Sequence, residues 1–193
     1  ITVNDGDTND DDSISVTVAN LAPTVTLSGQ STANEGDTKH YTYATSDPGT
    51  ETFTHSVDCG LNGTPSNDLF TAATGAGSFD CTFPDGPSSS TVTITVNDGE
   101  ASDDDSTVVT VANVAPTVTL SGSSTANEGD TQHYTYTTTD PGTETFTHTA
   151  SCGLNGTPSN DLFTAATGAG SFDCTFPDGP ATSTVKVTVD DGD

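Results

Sequence analysis

Thr91-Val-Thr-Ile-Thr-Val-Asn-Asp-Gly-Glu100 decides the fold. Its β-branched residues alternate with period two, so Val92, Ile94 and Val96 share one face of a strand and the threonines the other. Asn-Asp-Gly then ends the run with turn-forming residues. The same unit opens the chain as Ile1–Asp7 and closes it as Val187–Asp193. Working outward, Asn20-Leu-Ala-Pro-Thr-Val-Thr-Leu-Ser-Gly returns from Asn113, Asn34-Glu-Gly-Asp returns from Asn127, and Cys59 and Cys81 return as Cys152 and Cys174. Segments 20–100 and 113–193 align without a gap and differ at 14 of 81 positions, which sets a period of 93 residues. Repetition on this scale marks an array of like modules, each with its own small core.

Within one period the strand-like runs are A (23–29), B (38–45), C (52–58), E (77–83), F (90–97) and G (106–112), with a less defined D region near 65–71. Gly, Pro, Asp and Asn clusters separate them. Residues 67–74 offer the one place for a short turn of helix. The expectation is an all-β chain of tandem immunoglobulin-like antiparallel β-sandwiches. Val25, Leu27, Tyr41, Tyr43, Phe53, Val57, Phe79, Cys81, Val92, Ile94, Val96, Val109 and Val111 point inward. Residues 1–19 read as the C-terminal strands of a preceding repeat, 20–112 as a full repeat, and 113–193 as a repeat lacking its last strand. That phase suggests an excerpt of a longer secreted or surface protein. The other reading is a processed protomer whose N-terminal segment completes the last sandwich of another subunit.

The formal net charge is −26, and Lys39 and Lys186 are the only Lys or Arg residues. So little positive charge argues against nucleic acid and anionic membrane as partners. No apolar run is long enough to span a bilayer as a helix. Two cysteines per repeat at one spacing fit a disulfide formed in an oxidising compartment. The pairs Cys59–Cys81 and Cys152–Cys174 keep each repeat closed within itself, whereas cross-module bonds break the modular logic. No nearby Cys or His completes a zinc set.

Ala22-Pro-Thr-Val-Thr-Leu, Asn34-Glu-Gly-Asp-Thr, Ser46-Asp-Pro-Gly and Thr91-Val-Thr-Ile-Thr-Val-Asn-Asp-Gly-Glu together resemble the tandem PKD-type, immunoglobulin-like (cadherin-like) repeats of bacterial extracellular proteins. The chain has Val57-Asp-Cys-Gly where that family commonly has an aromatic-Asp-Phe-Gly-Asp-Gly segment. The resemblance implies extracellular stalks, adhesins or spacers, often with calcium.

An immunoglobulin-type order brings the B–C and F–G loops to one pole. That pole gathers Asp47, Glu51, Asp98 and Glu100, with Asp103, Asp104 and Asp105 expected in the F–G loop. The next copy repeats them as Asp140, Glu144, Asp191 and Asp193, and the first fragment adds Asp5 and Asp7. The opposite pole of the preceding module offers Glu35, Asp37 and Asp85 across the joint. Crowded carboxylates with no His or thiolate suit a hard cation with six to eight oxygen ligands, which is Ca²⁺. The alternative is a solvated acidic hairpin, and the spacing of an EF-hand loop is missing.

Asn62-Gly-Thr and Asn155-Gly-Thr match the N-glycosylation pattern. His40, His55, His133 and His148 read as strand-face residues. No motif places a nucleophile beside them, so no catalytic residue is assigned and no enzymatic activity is expected. The functional expectation is therefore structural: an extracellular filament or cell-surface stalk of head-to-tail modules, stiffened by Ca²⁺ and holding one disulfide per module, with copies of itself as partner. The alternative is an adhesin or carbohydrate-binding module using the loops of one pole.

Overall fold

A computed structural model describes residues 1–4, 6, 7 and 9–193; the side chains of Asn9 and Asp10 are not described. The described residues form sixteen strands and no helix. The opening pair is β1 (Thr2–Asn4) and β2 (Asn9–Asp11). The first module comprises β3 (Thr24–Ser28), β4 (Thr32–Asn34), β5 (Thr38–Ser46), β6 (Thr54–Asp58), β7 (Thr64–Thr71), β8 (Ala76–Thr82), β9 (Ser88–Asn97) and β10 (Ser102–Ala112). The second comprises β11 (Thr117–Gly122), β12 (Thr131–Thr139), β13 (Thr147–Ser151), β14 (Thr157–Thr164), β15 (Ala169–Thr175) and β16 (Lys186–Asp190). No described helix is long and apolar enough to cross a membrane.

The first module stacks two four-stranded sheets, ordered β3-β5-β8-β7 and β4-β10-β9-β6. This is the strand order of an immunoglobulin-like sandwich, with β4 added in parallel to β10. Period-two alternation drives the packing. Along β9, Val92, Ile94 and Val96 are fully buried, and across the core they meet Tyr41, Tyr43 and Phe79. Tyr41 and Phe79 stack with ring centroids 5.6 Å apart. Of the expected inward residues, all are buried except Leu27 and Val57, which are partly buried and pack against this cluster.

Cys59 follows β6 of one sheet and Cys81 lies on β8 of the other, so their disulfide ties the layers together with Cα atoms 5.7 Å apart. Cys152–Cys174 does the same in the second module. A loop closed over 22 residues restricts the unfolded chain by ~3 kcal/mol, a large share for a core this small.

Two local expectations change. The D region is a full strand, β7, paired with β8 through a bulge between Ser66 and Leu69. Asn67 takes φ 50° there, and its amide donates to Asp80 at 2.7 Å, so the strand absorbs the irregularity and residues 72–75 form a turn. Asp103, Asp104 and Asp105 lie within β10, not in the F–G loop. The reason is edge chemistry: backbone N–H groups of Val25 and Leu27 on edge strand β3 donate to the Asp103 and Asp105 carboxylates at 2.9 and 2.8 Å. Side chains thereby satisfy an edge that no neighbouring strand covers.

The second module repeats the first sheet as β11-β12-β15-β14, but its other sheet holds only β13 and β16. Among the described residues nothing there corresponds to β4 or β10. The partner of β13 is a strand only over Lys186–Asp190, whereas β9 runs over ten residues.

Candidate metal centre

The two modules meet where the turn after β4 faces the loop between β12 and β13. Gly36, at φ +74°, sits against Pro141 so closely that a Cβ there would lie 2.9 Å from that proline's Cβ and carbonyl oxygen. Glu35 beside it is only 2% exposed. Its carboxylate accepts from Gly86 N at 3.1 Å and from Val114 N at 2.8 Å. One acidic side chain thus ties the β8–β9 turn of the first module to the first residues of the linker.

Glu35, Asp85 and Glu144 each direct one carboxylate oxygen into a common space, all within 4.8 Å of one another. Two come from the first module and one from the second. Both carboxylate oxygens of Glu144, one of Asp85 and one of Asp140 are buried without a hydrogen-bond partner. The other Asp140 oxygen accepts from Gly142 N at 2.8 Å, which holds the loop in shape. Gly142 is needed for contact: a Cβ there would stand 2.8 Å from the Glu35 carboxyl carbon. Burial, then the charges of Asp140, Glu35 and Asp85, push the Glu144 carboxyl up to about 7. Buried carboxylates that repel one another and lack donors are costly, and a cation among them reverses the cost. All the donors are hard oxygens, with no His or thiolate, which fits Ca²⁺ and excludes the usual zinc sets.

The other acidic residues at these poles are placed differently. Asp47 and Glu51 occupy in the first module the places of Asp140 and Glu144. Asp47 Oδ2 and Glu51 Oε2 are also buried and unpartnered, around a concavity of about 180 Å³. Asp98 and Asp191 are instead used by the protein. Asp98 is 6% exposed and accepts from Asn20 Nδ2 at 3.0 Å and from the N–H groups of Glu100 and Ala101 at 2.8 and 2.7 Å. The Asn20 amide first, then the two backbone donors, hold its carboxyl below the usual range. Asp191 accepts from Asn113 Nδ2 at 3.3 Å and from Asp193 N at 3.3 Å. These pairs fasten the linker asparagine to the F–G turn. Glu100 and Asp193 contribute their backbone N–H there, and neither belongs to the three-carboxylate group. Asp7 is exposed in the β1–β2 turn, and Asp5 lies outside the described residues. Asp37, expected at the opposite pole, pairs with Lys39 at 2.9 Å.

The amide nitrogens of the two sequon asparagines point into their own modules. Asn62 Nδ2 donates to the Asp85 carbonyl and to Ser88 Oγ, and Asn155 Nδ2 donates to the Asp178 carbonyl at 2.6 Å. Each histidine faces an Asp: His40 meets Asp80 and His133 meets Asp173, both at 2.6 Å. His55 stacks on Phe70, centroids 4.0 Å apart, and contacts Asp68 at 2.9 Å. They tie strand faces together.

No family model matches the chain, and no curated protein matches it.

Proposed function

We propose that the chain is a structural element of an extracellular stalk or filament, with Ca²⁺ joining successive sandwiches at the Glu35–Asp85–Glu144 group. The observation that carries this reading is the Glu144 carboxylate, whose two oxygens are buried without a partner beside two carboxylates of the neighbouring module. Asp140 supplies a further unpartnered oxygen. A calcium ion bound there would take ligands from both modules at once, so it would resist rotation about the Asn113–Pro116 linker. Extracellular modules of this kind hold Ca²⁺ with dissociation constants of about 10⁻⁴–10⁻³ M, which suits calcium-rich surroundings. The two disulfides are compatible with such a location. The PKD-type resemblance supports the same reading.

Each module contributes length, and its calcium joint contributes stiffness. Small-angle scattering with and without chelator tests this. A broader, more compact distance distribution in chelator is expected. Superimposable profiles from chain shown by titration to bind calcium would end the stiffening role.

A further inference from the structure

Asp85 and Gly86 act together at the joint. Asp85 offers a carboxylate oxygen within 4.8 Å of those of Glu35 and Glu144, and its Oδ1 has no hydrogen-bond partner. Gly86 N donates to Glu35 Oε2 at 3.1 Å and so aims a second carboxylate. Both residues lie in the short connection between β8 and β9. Whatever fixes that connection therefore fixes two of the three acids.

Asn62, between β6 and β7, reaches across to it. Its Nδ2 donates to the Asp85 carbonyl and to Ser88 Oγ, which uses both amide hydrogens. The Ser88 hydroxyl donates in turn to the same carbonyl at 3.0 Å, closing a triangle of bonds over the turn. Asn62 is itself anchored. It lies three residues after Cys59, whose disulfide to Cys81 crosses the sandwich. Its backbone N–H donates to Ser90 Oγ at 3.4 Å, and that hydroxyl donates to the Cys59 carbonyl at 2.6 Å. We infer that Asn62 is the positioning residue of the acidic joint: it holds the Asp85–Gly86 turn where Asp85 and Glu35 face Glu144. The inference rests on the proposed calcium joint for what the three acids bind, and not for how they are placed.

The second repeat supplies a comparison within the same chain. Asn155 Nδ2 donates to the Asp178 carbonyl at 2.6 Å, so the bond from asparagine to turn recurs. Ala181 stands where Ser88 stands, which leaves the triangle open. Gly179 N donates to Oδ1 of Asp178 at 3.0 Å, whereas Gly86 N goes to Glu35. Among the described residues Asp178 belongs to no group of three acids. Asn155→Ala is therefore a matched control: it removes the same kind of bond from the same kind of turn, away from Glu35, Asp85 and Glu144.

The test uses the 193-residue chain and its Asn62→Ala, Ser88→Ala and Asn155→Ala variants. Calcium affinity is read by titration calorimetry, stability by urea midpoint, and exchange of the Gly86 amide proton by nuclear magnetic resonance in chelator. Asn62→Ala should weaken calcium binding ~10-fold or more, as loss of a group that orients a metal ligand does. Ser88→Ala introduces the residue that the second repeat already accommodates, and should weaken binding at least ~2-fold. Asn155→Ala should lower the urea midpoint and leave calcium affinity at the parent value. In chelator the Gly86 amide should exchange faster in Asn62→Ala and Ser88→Ala, and at the parent rate in Asn155→Ala. Should Asn62→Ala not fold, Ser88→Ala is read alone. Unaltered Gly86 exchange overturns the proposal. So does parent-like calcium affinity in the first two variants, or a loss in Asn155→Ala as large as in Asn62→Ala. A parent chain that binds no calcium contradicts the calcium joint instead, and faster Gly86 exchange in the variants then still supports the positioning role.

Discussion

Replacing Glu144 with Gln should stabilise the chain in chelator and remove most of its stabilisation by calcium. In chelator the wild-type carboxylate sits with two buried, unpartnered oxygens among Asp140, Glu35 and Asp85. A carboxyl displaced from 4.5 to about 7 costs ~2–3 kcal/mol when ionised, after allowance for solvent screening. Gln keeps the shape, removes the charge and offers an amide donor to the remaining carboxylates. Stability at pH 7.5 in chelator should therefore rise by ~1–3 kcal/mol. In 10 mM calcium, a site with a dissociation constant of about 10⁻⁴–10⁻³ M stabilises the wild type by ~1.4–2.7 kcal/mol. The variant has lost a charged ligand and should gain less than ~0.5 kcal/mol by the same relation. The assay is urea unfolding followed by far-ultraviolet circular dichroism, because the chain has no Trp. Equal calcium-induced shifts in the two proteins, or destabilisation of the variant in chelator, would refute the reasoning.

Gly36→Ala and Gly129→Ala impose the same positive-φ strain of ~1 kcal/mol. Only Gly36 has the next module's Pro141 against it, so only Gly36→Ala should weaken calcium binding by titration calorimetry. Without calcium, stability should fall as pH rises from the ordinary carboxyl value toward 7. The native state, with the Glu144 carboxyl raised by burial and by Asp140, Glu35 and Asp85, holds its proton over that window while the unfolded chain releases it. Saturating calcium should flatten the slope, and urea midpoints across the window check it. Reducing Cys59–Cys81 and Cys152–Cys174 should cost each module ~3 kcal/mol, read as a lowered thermal midpoint under reductant.

The strands were legible because alternation is a local signal. Val92, Ile94 and Val96 declare their face without reference to anything else. The disulfides were legible because the repeat limits which cysteines can meet. Asp103 and Asp105 were misread because an acidic run looks like a loop until an edge strand is found whose N–H groups need acceptors. The bulged strand β7 was blurred by Asn67, whose positive φ breaks the alternation at the point where the strand continues. At the joint, sequence placed acids at both poles but could not divide those satisfied by backbone N–H, as in Asp98, from those left without donors, as in Glu144. That division depends on contacts between modules, which no local pattern carries. Glu35 shows the limit: the sequence places it at the joint with Asp37 and Asp85, but not that Glu35 is buried with Gly86 N and Val114 N as donors while Asp37 pairs with Lys39.

Calcium stoichiometry on the 193-residue chain tests the central claim most directly. Equilibrium dialysis of monomeric chain should find one saturable site, corresponding to the single joint at Glu35, Asp85 and Glu144, and Asp85→Asn with Glu144→Gln should abolish it. No saturable binding up to ~10 mM, ten times the upper end of the range for extracellular modules, would contradict the account. So would a site that survives both substitutions.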